Sequence, residues 1–171
     1  SMAEEEIRAL ILEGREVGSV EPSEAQMLER VFRFGDRQIR EMMTPRTEIV
    51  ALGKGTTLVE FLNTYRQHSH TRFPVYEDTV DNILGTLSTK EVLRAMANNQ
   101  IRSEDEVTSL LWPAYFVPET KLVGELFQQL RGAGYQMVMV ADEFGGLAGL
   151  VTLKQMVEEV VGRVGEEGAG G

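Results

Sequence analysis

The 171-residue chain is 42% hydrophobic and 26% charged, the balance of a globular protein long enough to bury a core. It has no cysteine and only two histidines, which excludes a disulfide scaffold, a thiolate metal site and a cysteine nucleophile, and leaves too few imidazoles for a multi-histidine metal centre. Seventeen Lys and Arg stand against 27 Asp and Glu, for a net charge of -10; phosphate-backbone binding is disfavoured and no nucleic-acid partner is expected, while a local nucleotide pocket stays open.

No stretch approaches the roughly 18 consecutive apolar residues of a membrane-spanning helix. Ser1-Met2 resembles a cloning scar more than a signal peptide, because no apolar run follows it. The chain therefore reads as a piece of something longer. Helical patterns are expected over 4–13 and 23–34, the second with Met27, Leu28, Val31 and Phe32 on one face. A short helix over 36–43 should follow, ended by Pro45. Residues 4–43 are assigned as a helical linker, 44–100 and 101–163 as two like domains, and 164–171 as a flexible tail with nothing to pack.

The two domains are an internal repeat. Thr56, Leu58, Val59 and Leu62 recur as Thr120, Leu122, Val123 and Leu126, a constant offset of 64 residues. Gly85-Thr86-Leu87-Ser88-Thr89-Lys90-Glu91 lines up in the same register with Gly149-Leu150-Val151-Thr152-Leu153-Lys154-Gln155. Two copies are too few for a solenoid, so two like units packed on each other are expected. Copy one reads as a short apolar run over 49–52, then a helix with Thr57 as N-cap and Glu60 at N3. Strand 73–76, a turn over 77–82, strand 83–87 and a helix carrying Val92, Leu93 and Met96 complete it. Copy two repeats the order: extended 115–117, helix 122–130, strand 137–140, a turn through Asp142 to Gly146, strand 147–151 and helix 153–161. A helical linker over 103–111 joins the copies, and Trp112 with Pro113 and Tyr115 is expected to pack that linker against copy two. The fold class is α/β (α+β): tandem β-α-β-β-α units in one pseudo-two-fold module, preceded by helices.

Gly35-Asp36-Arg37-Gln38-Ile39-Arg40-Glu41-Met42-Met43-Thr44-Pro45-Arg46 resembles the entry to a cystathionine-β-synthase-type (CBS) domain pair. More narrowly it is similar to the hemolysin-related, magnesium/cobalt-efflux membrane protein family, relatives of the cyclin M magnesium transporters. Arg72-Phe73-Pro74-Val75-Tyr76, Asp81-Asn82-Ile83-Leu84-Gly85, Phe116-Val117-Pro118-Glu119-Thr120-Lys121 and Ala141-Asp142-Glu143-Phe144-Gly145-Gly146 running on to Gly149-Leu150-Val151-Thr152 carry the same likeness, over about residues 4–163. The resemblance implies a transmembrane domain before this pair and a small accessory domain after it. It also implies a cytoplasmic-side location, a disc-shaped homodimer of pairs, and ATP or AMP, with magnesium held through the phosphates, in the clefts between the sheets.

Carried over residue by residue, the resemblance places one nucleotide site at Thr47, Ile49, Thr71, Arg72, Ser88 and Glu91, and a second at Tyr115, Val117, Tyr135, Gln136, Thr152 and Gln155. Ser88 and Thr152 lie where a strand turns into a helix, so a hydroxyl and the first helical N–H groups converge where a phosphate is favoured. A carboxylate three residues on can accept from both ribose hydroxyls. The family's usual Asp is Glu91 in copy one, one methylene longer, and uncharged Gln155 in copy two. Lys154, beside that cradle, would partly offset the missing charge. Each residue also has a plainer reading: Ser88 and Thr152 as N-caps, Glu91 and Gln155 as solvated first-turn residues, Arg72 in a surface ion pair. A pair that has lost its ligand and serves as a dimerisation and coupling scaffold is the alternative function. No nucleophile, base and oxyanion donor stand together, so no enzyme is expected and no directly bound metal. The dimer is expected to use an apolar stripe of Leu58, Leu62, Leu93, Met96, Leu122, Leu126, Met156 and Val160.

Overall fold

A computed structural model describes residues 22–159. It divides into two compact units that do not follow the chain in order. One gathers Met43–Glu119 and Tyr135–Thr152; the other gathers the described residues up to Met42, Thr120–Gly134 and the described residues from Leu153 on. The expected helix over 4–13, Val160 and the tail over 164–171 lie outside the described residues.

The larger unit holds two four-stranded sheets. The first runs β2 (Leu52–Gly53), β3 (Arg72–Glu77), β4 (Thr79–Ser88), β5 (Trp112–Pro113). The second runs β1 (Thr44–Pro45), β8 (Leu147–Thr152), β7 (Met137–Ala141), β6 (Phe116–Pro118). The two-residue strands just ahead of each copy's opening run are exchanged, while β2 and β6 pair parallel within their own copies. β1, from the start of copy one, pairs antiparallel with β8 of copy two, Thr44 opposite Leu150. β5, from the start of copy two, pairs antiparallel with β4 of copy one, Thr86 opposite Trp112. The equivalent glycines admit these crossings. A Cβ on Gly85 would collide with the Trp112 carbonyl, and one on Gly149 with the Thr44 carbonyl. Inserting a side chain there would force the strands apart.

Helix α2 (Leu58–Gln67) starts at the expected capping box: Thr57 accepts from the Glu60 N–H while the Glu60 carboxylate reaches back to the Thr57 N–H. Its apolar face meets the first sheet in a cluster of Leu52, Leu58, Phe61, Phe73, Val75, Leu87, Val92 and Val107. Phe61 stands edge-on to Phe73, centroids 5.6 Å apart, a favoured aromatic geometry. Helix α3 (Thr89–Ala97) follows β4 directly. A second cluster joins Ile83 of the first sheet to Met137, Met139, Leu147 and Leu150 of the second.

Three expectations change. The turn over 77–82 is far tighter, because Asp78 takes a left-handed backbone (φ 66°) and β4 extends back to Thr79, with register shifts beside Tyr76. The linker over 103–111 is not an α-helix but a turn followed by a 3-10 segment Val107–Leu110. Its backbone groups are spent on α2, with the Val107 N–H on the Thr56 carbonyl and the Leu58 N–H on the Asp105 carbonyl. The short helix over 36–43 shrinks to one 3-10 turn, Ile39–Glu41. Ile39 is fully buried and its N–H is drawn away to the Lys121 carbonyl.

The smaller unit contains α1 (Pro22–Gly35), α4 (Val123–Ala133) and helical residues 153–159, here α5. Helices α1 and α4 touch at Gly35 and Gly124, where a Cβ on Gly124 would meet the Gly35 carbonyl at 3.2 Å. Val31, Phe34, Phe127, Met156 and Val157 line an apolar cleft of about 260 Å³ beside them. Gly134 ends α4 in the left-handed conformation usual for a C-terminal glycine.

The expected dimer stripe is partly core. Leu58, Leu126 and Met156 are buried, Leu62, Met96 and Leu122 are half-buried, and among the described residues of that set only Leu93 is exposed outright. A helix face is shared between the sheet it covers and solvent, and sequence periodicity does not say where the boundary falls.

Candidate functional site

β4 hands the chain to α3 at Ser88, whose extended backbone makes it the N-cap although its hydroxyl makes no capping bond. The first helical N–H is engaged elsewhere: Thr89 N–H donates to the Thr71 carbonyl, and the Thr89 hydroxyl to the His70 carbonyl, each at 2.9 Å. Buried Thr89 thus staples residues 70–71 against the start of α3. The next residue, Arg72, stands opposite Ser88 in the β3–β4 ladder. Arg72 is half-buried and makes no ion pair among the described residues. In the first turn of α3, Glu91 Oε1 accepts a 3.0 Å hydrogen bond from Trp112 Nε1.

Local backbone pairing therefore brings Thr71, Arg72 and Ser88 together at the end of the first sheet, with Glu91 in the next helical turn bonded to Trp112 of β5. A hydroxyl not spent on capping, a cation without a counter-ion among the described residues and a helix N-terminus converge, and all three favour an anion. The surface ion pair that would have explained Arg72 is not formed among the described residues. Thr47 and Ile49 lie on the turn after β1, which packs against β8. Thr47 is exposed and Ile49 packs on the second cluster; no hydrogen bond or ion pair among the described residues joins them to the other four.

The copy-two set is more dispersed. The Tyr115 and Tyr135 rings are 5.1 Å apart, and the Tyr115 carbonyl accepts from Met139 N–H. Val117 is buried on β6, Gln136 is exposed just before β7, and Thr152 ends β8 opposite Met137. Gln155 belongs to the smaller unit, where its Nε2 donates to the Met42 carbonyl at 2.9 Å. Lys154 points to solvent beside Glu158, 3.8 Å away, an exposed pair of little energetic weight.

Two features escaped sequence reasoning. Trp112 does not pack the linker on copy two: it is 58% exposed, lies in copy one's sheet and reaches Glu91. The second is an ion pair of Arg46 with Asp81, whose Oδ1 also accepts from Leu147 N–H. The Arg46 hydrogen bond first, and the Leu147 N–H second, hold the Asp81 carboxyl below its ordinary value, while Arg46 is raised by the same partner. Nearby, Asp142 Oδ1 accepts from the N–H groups of Phe144 and Gly146, which folds the acidic turn on itself. The His68 and His70 rings stack 6.2 Å apart, and no metal-holding group of His, Asp or Glu occurs among the described residues.

The CBS domain family matches residues 39–98 and 107–162. Magnesium and cobalt efflux protein CorC of Escherichia coli (strain K12) is 35% identical over 166 residues, 95% of this chain and 55% of CorC. UPF0053 protein YhdP of Bacillus subtilis (strain 168) is 33% identical over 165 residues, 96% of this chain and 37% of YhdP. The chain thus spans about half or less of these curated relatives. Among solved structures, the CBS domain of the bacterial CNNM/CorC family Mg2+ transporter superposes with a TM-score of 0.79 at 38% identity, covering 92% of this chain and 95% of that one. The same domain in complex with ATP gives 0.75 at 40% identity, covering 82% and 99%.

Proposed function

The chain belongs to the CBS-domain family, as a CBS pair homologous to those of CorC/CNNM magnesium–cobalt efflux and hemolysin-related proteins, and from that premise we propose that it is the nucleotide-sensing regulatory module of a membrane metal-ion transport protein. The ligand is an adenine nucleotide, ATP or AMP, with magnesium reaching it through the phosphates. The module is regulatory and not catalytic. It sits on the cytoplasmic side, flanked in the full-length protein by a transmembrane and an accessory domain; no described helix is itself long and apolar enough to cross a membrane.

What supports an anionic ligand most directly is the juxtaposition across β3 and β4 of Arg72, without an ion pair among the described residues, and Ser88, with a hydroxyl left out of its own helix cap. Arg72 and Ser88 would take phosphate, Glu91 the ribose, and Thr71, Thr47 and Ile49 the base side of the cleft. Tyr115, Val117, Tyr135, Gln136 and Thr152 form the copy-two counterpart. There the scaffold alternative gains ground, because the Gln155 amide is already engaged by Met42. A homodimer is proposed through the exposed apolar residues of α2 and α3, Val59 and Leu93.

Calorimetric titration with ATP and AMP, with and without magnesium, tests the reading. Micromolar binding weakened about fivefold or more by Ser88→Ala, the worth of roughly one hydrogen bond, is expected. No heat at millimolar nucleotide from a folded protein would leave the scaffold.

A further inference from the structure

Glu91 and Gln155 hold the same place in the two repeats, and each meets a segment arriving from the other repeat's end of the chain. Glu91 accepts from the Trp112 indole at the head of copy two, and Gln155 donates to the Met42 carbonyl just ahead of β1. The residue types match what they meet. An indole N–H only donates, so position 91 needs an acceptor; a carbonyl only accepts, so position 155 needs a donor, which a carboxylate at neutral pH is not. Each side chain thus suits the backbone or indole group it meets, and positions 91 and 155 are not equivalent.

Trp112 reaches Glu91 by a specific route. Gly85, the first residue of the Gly-x-x-Ser-x-x-Glu segment, lets the Trp112 carbonyl approach β4. The indole of the same residue then spans to Glu91, the last residue of that segment. One oxygen of Glu91 is fixed at 3.0 Å, while Oε2 has no partner among the described residues. Glutamate is one methylene longer than aspartate and has one more torsion to order. A carboxylate tied at one oxygen is already ordered when a ligand arrives.

Resting on the adenine-nucleotide reading above, we propose that Trp112 is a positioning residue: it holds Glu91 so that the carboxylate accepts from the ribose diol, and it makes the copy-one cleft the one that reads the sugar. Trp112 is the single tryptophan, so its indole N–H gives one resonance in a 15N-labelled chain. Glu91→Ala is expected to move that resonance without nucleotide, and ATP to move it in the wild type. Wild type is expected to prefer ATP over 2′,3′-dideoxy-ATP. Trp112→Phe, which keeps a ring and removes the donor, should lower ATP affinity about threefold to tenfold and leave dideoxy-ATP unchanged. Combining Trp112→Phe with Glu91→Ala should add nothing to Glu91→Ala alone. An equal loss for both nucleotides, or an intact preference, overturns the positioning role. An indole resonance unmoved by Glu91→Ala overturns the tether itself. If wild type binds neither nucleotide while Glu91→Ala still moves the indole, the nucleotide reading falls and takes the ribose role with it, leaving a packing contact.

Discussion

The exchanged strands can be tested through Gly85. Replacing it with alanine adds a single methyl group, but the new Cβ would overlap the Trp112 carbonyl and come within 3.4 Å of the Leu111 Cβ. Neither obstacle is the free end of a flexible side chain, so relief requires β5 to move off β4. Over-packing of this kind costs about 1–3 kcal/mol. Weakening the ladder at Thr86–Trp112 removes roughly another 1 kcal/mol of hydrogen bonding. The restricted unfolded chain returns about 0.5 kcal/mol. A net loss of about 2–3 kcal/mol lowers the melting temperature of a chain this size by about 5–10 °C. Gly132→Ala is the matched control. It adds the same methyl group late in α4, where nothing lies within 4 Å, and helix propensity alone should raise stability by about 0.5–1 kcal/mol. Thermal melts followed by circular dichroism should therefore move in opposite directions for the two variants. A Gly85→Ala protein that melts with the wild type, or above it like Gly132→Ala, would refute the close approach and with it the route by which Trp112 reaches Glu91.

Asp81 makes acid stability testable: its folded-state pKa lies below the ordinary value, so its contribution is complete above about pH 4 and disappears as pH falls through the lower folded value. Asp81→Asn should flatten the acid limb of a stability–pH curve while leaving its shape at neutral pH alone; an unchanged acid limb counts against the Arg46 pairing. Thr57→Ala, which removes the side-chain half of the α2 capping box, should cost about 1 kcal/mol in chemical denaturation, and no change would mean that the backbone bonds from 103–107 hold the helix start unaided. Val59→Asp and Leu93→Asp, at positions 51% and 49% exposed, should alter monomer stability by no more than about 0.5 kcal/mol yet reduce the mass seen by light scattering to that of one chain; an undiminished mass excludes these faces from the dimer.

The order of elements was legible because each repeat alternates its signals cleanly: Thr57 and Glu60 announce a helix start, and β-branched runs bounded by glycine and acidic turns announce hairpins. What the repeat concealed was the pairing between copies. Nothing in Thr44-Pro45 or Trp112-Pro113 says that each two-residue strand joins the sheet of the other repeat. Gly85 and Gly149 were visible as a matched pair, and their physical reason is a neighbouring carbonyl contributed from far along the chain. The lost linker helix has a similar origin, since Val107 and Asp105 bond to the start of α2 and not to one another. Local propensity describes the alternatives available to a segment, and a partner distant in sequence selects among them.

The same distinction governs the site. Ser88, Arg72 and Thr71 come together through a ladder and a helix cap that lie within 20 residues of one another, so the family's spacing was enough to group them. In the sequence alone, Glu91 and Gln155 differ only as a carboxylate present or absent. Their partners give that difference another meaning. An acceptor stands where an indole N–H arrives, and a donor stands where a carbonyl arrives. Exchanging the two side chains separates charge from partner matching. Gln155→Glu would set a carboxylate against the Met42 carbonyl, acceptor against acceptor, and loses stability even though it restores the family's acidic position. Glu91→Gln keeps an acceptor oxygen for Trp112 and should fold as the wild type does, while weakening a ribose bond that depends on charge. A Gln155→Glu protein as stable as the wild type would mean that position 155 is free to change, and that copy two lost its carboxylate for a reason other than the strand that crosses it.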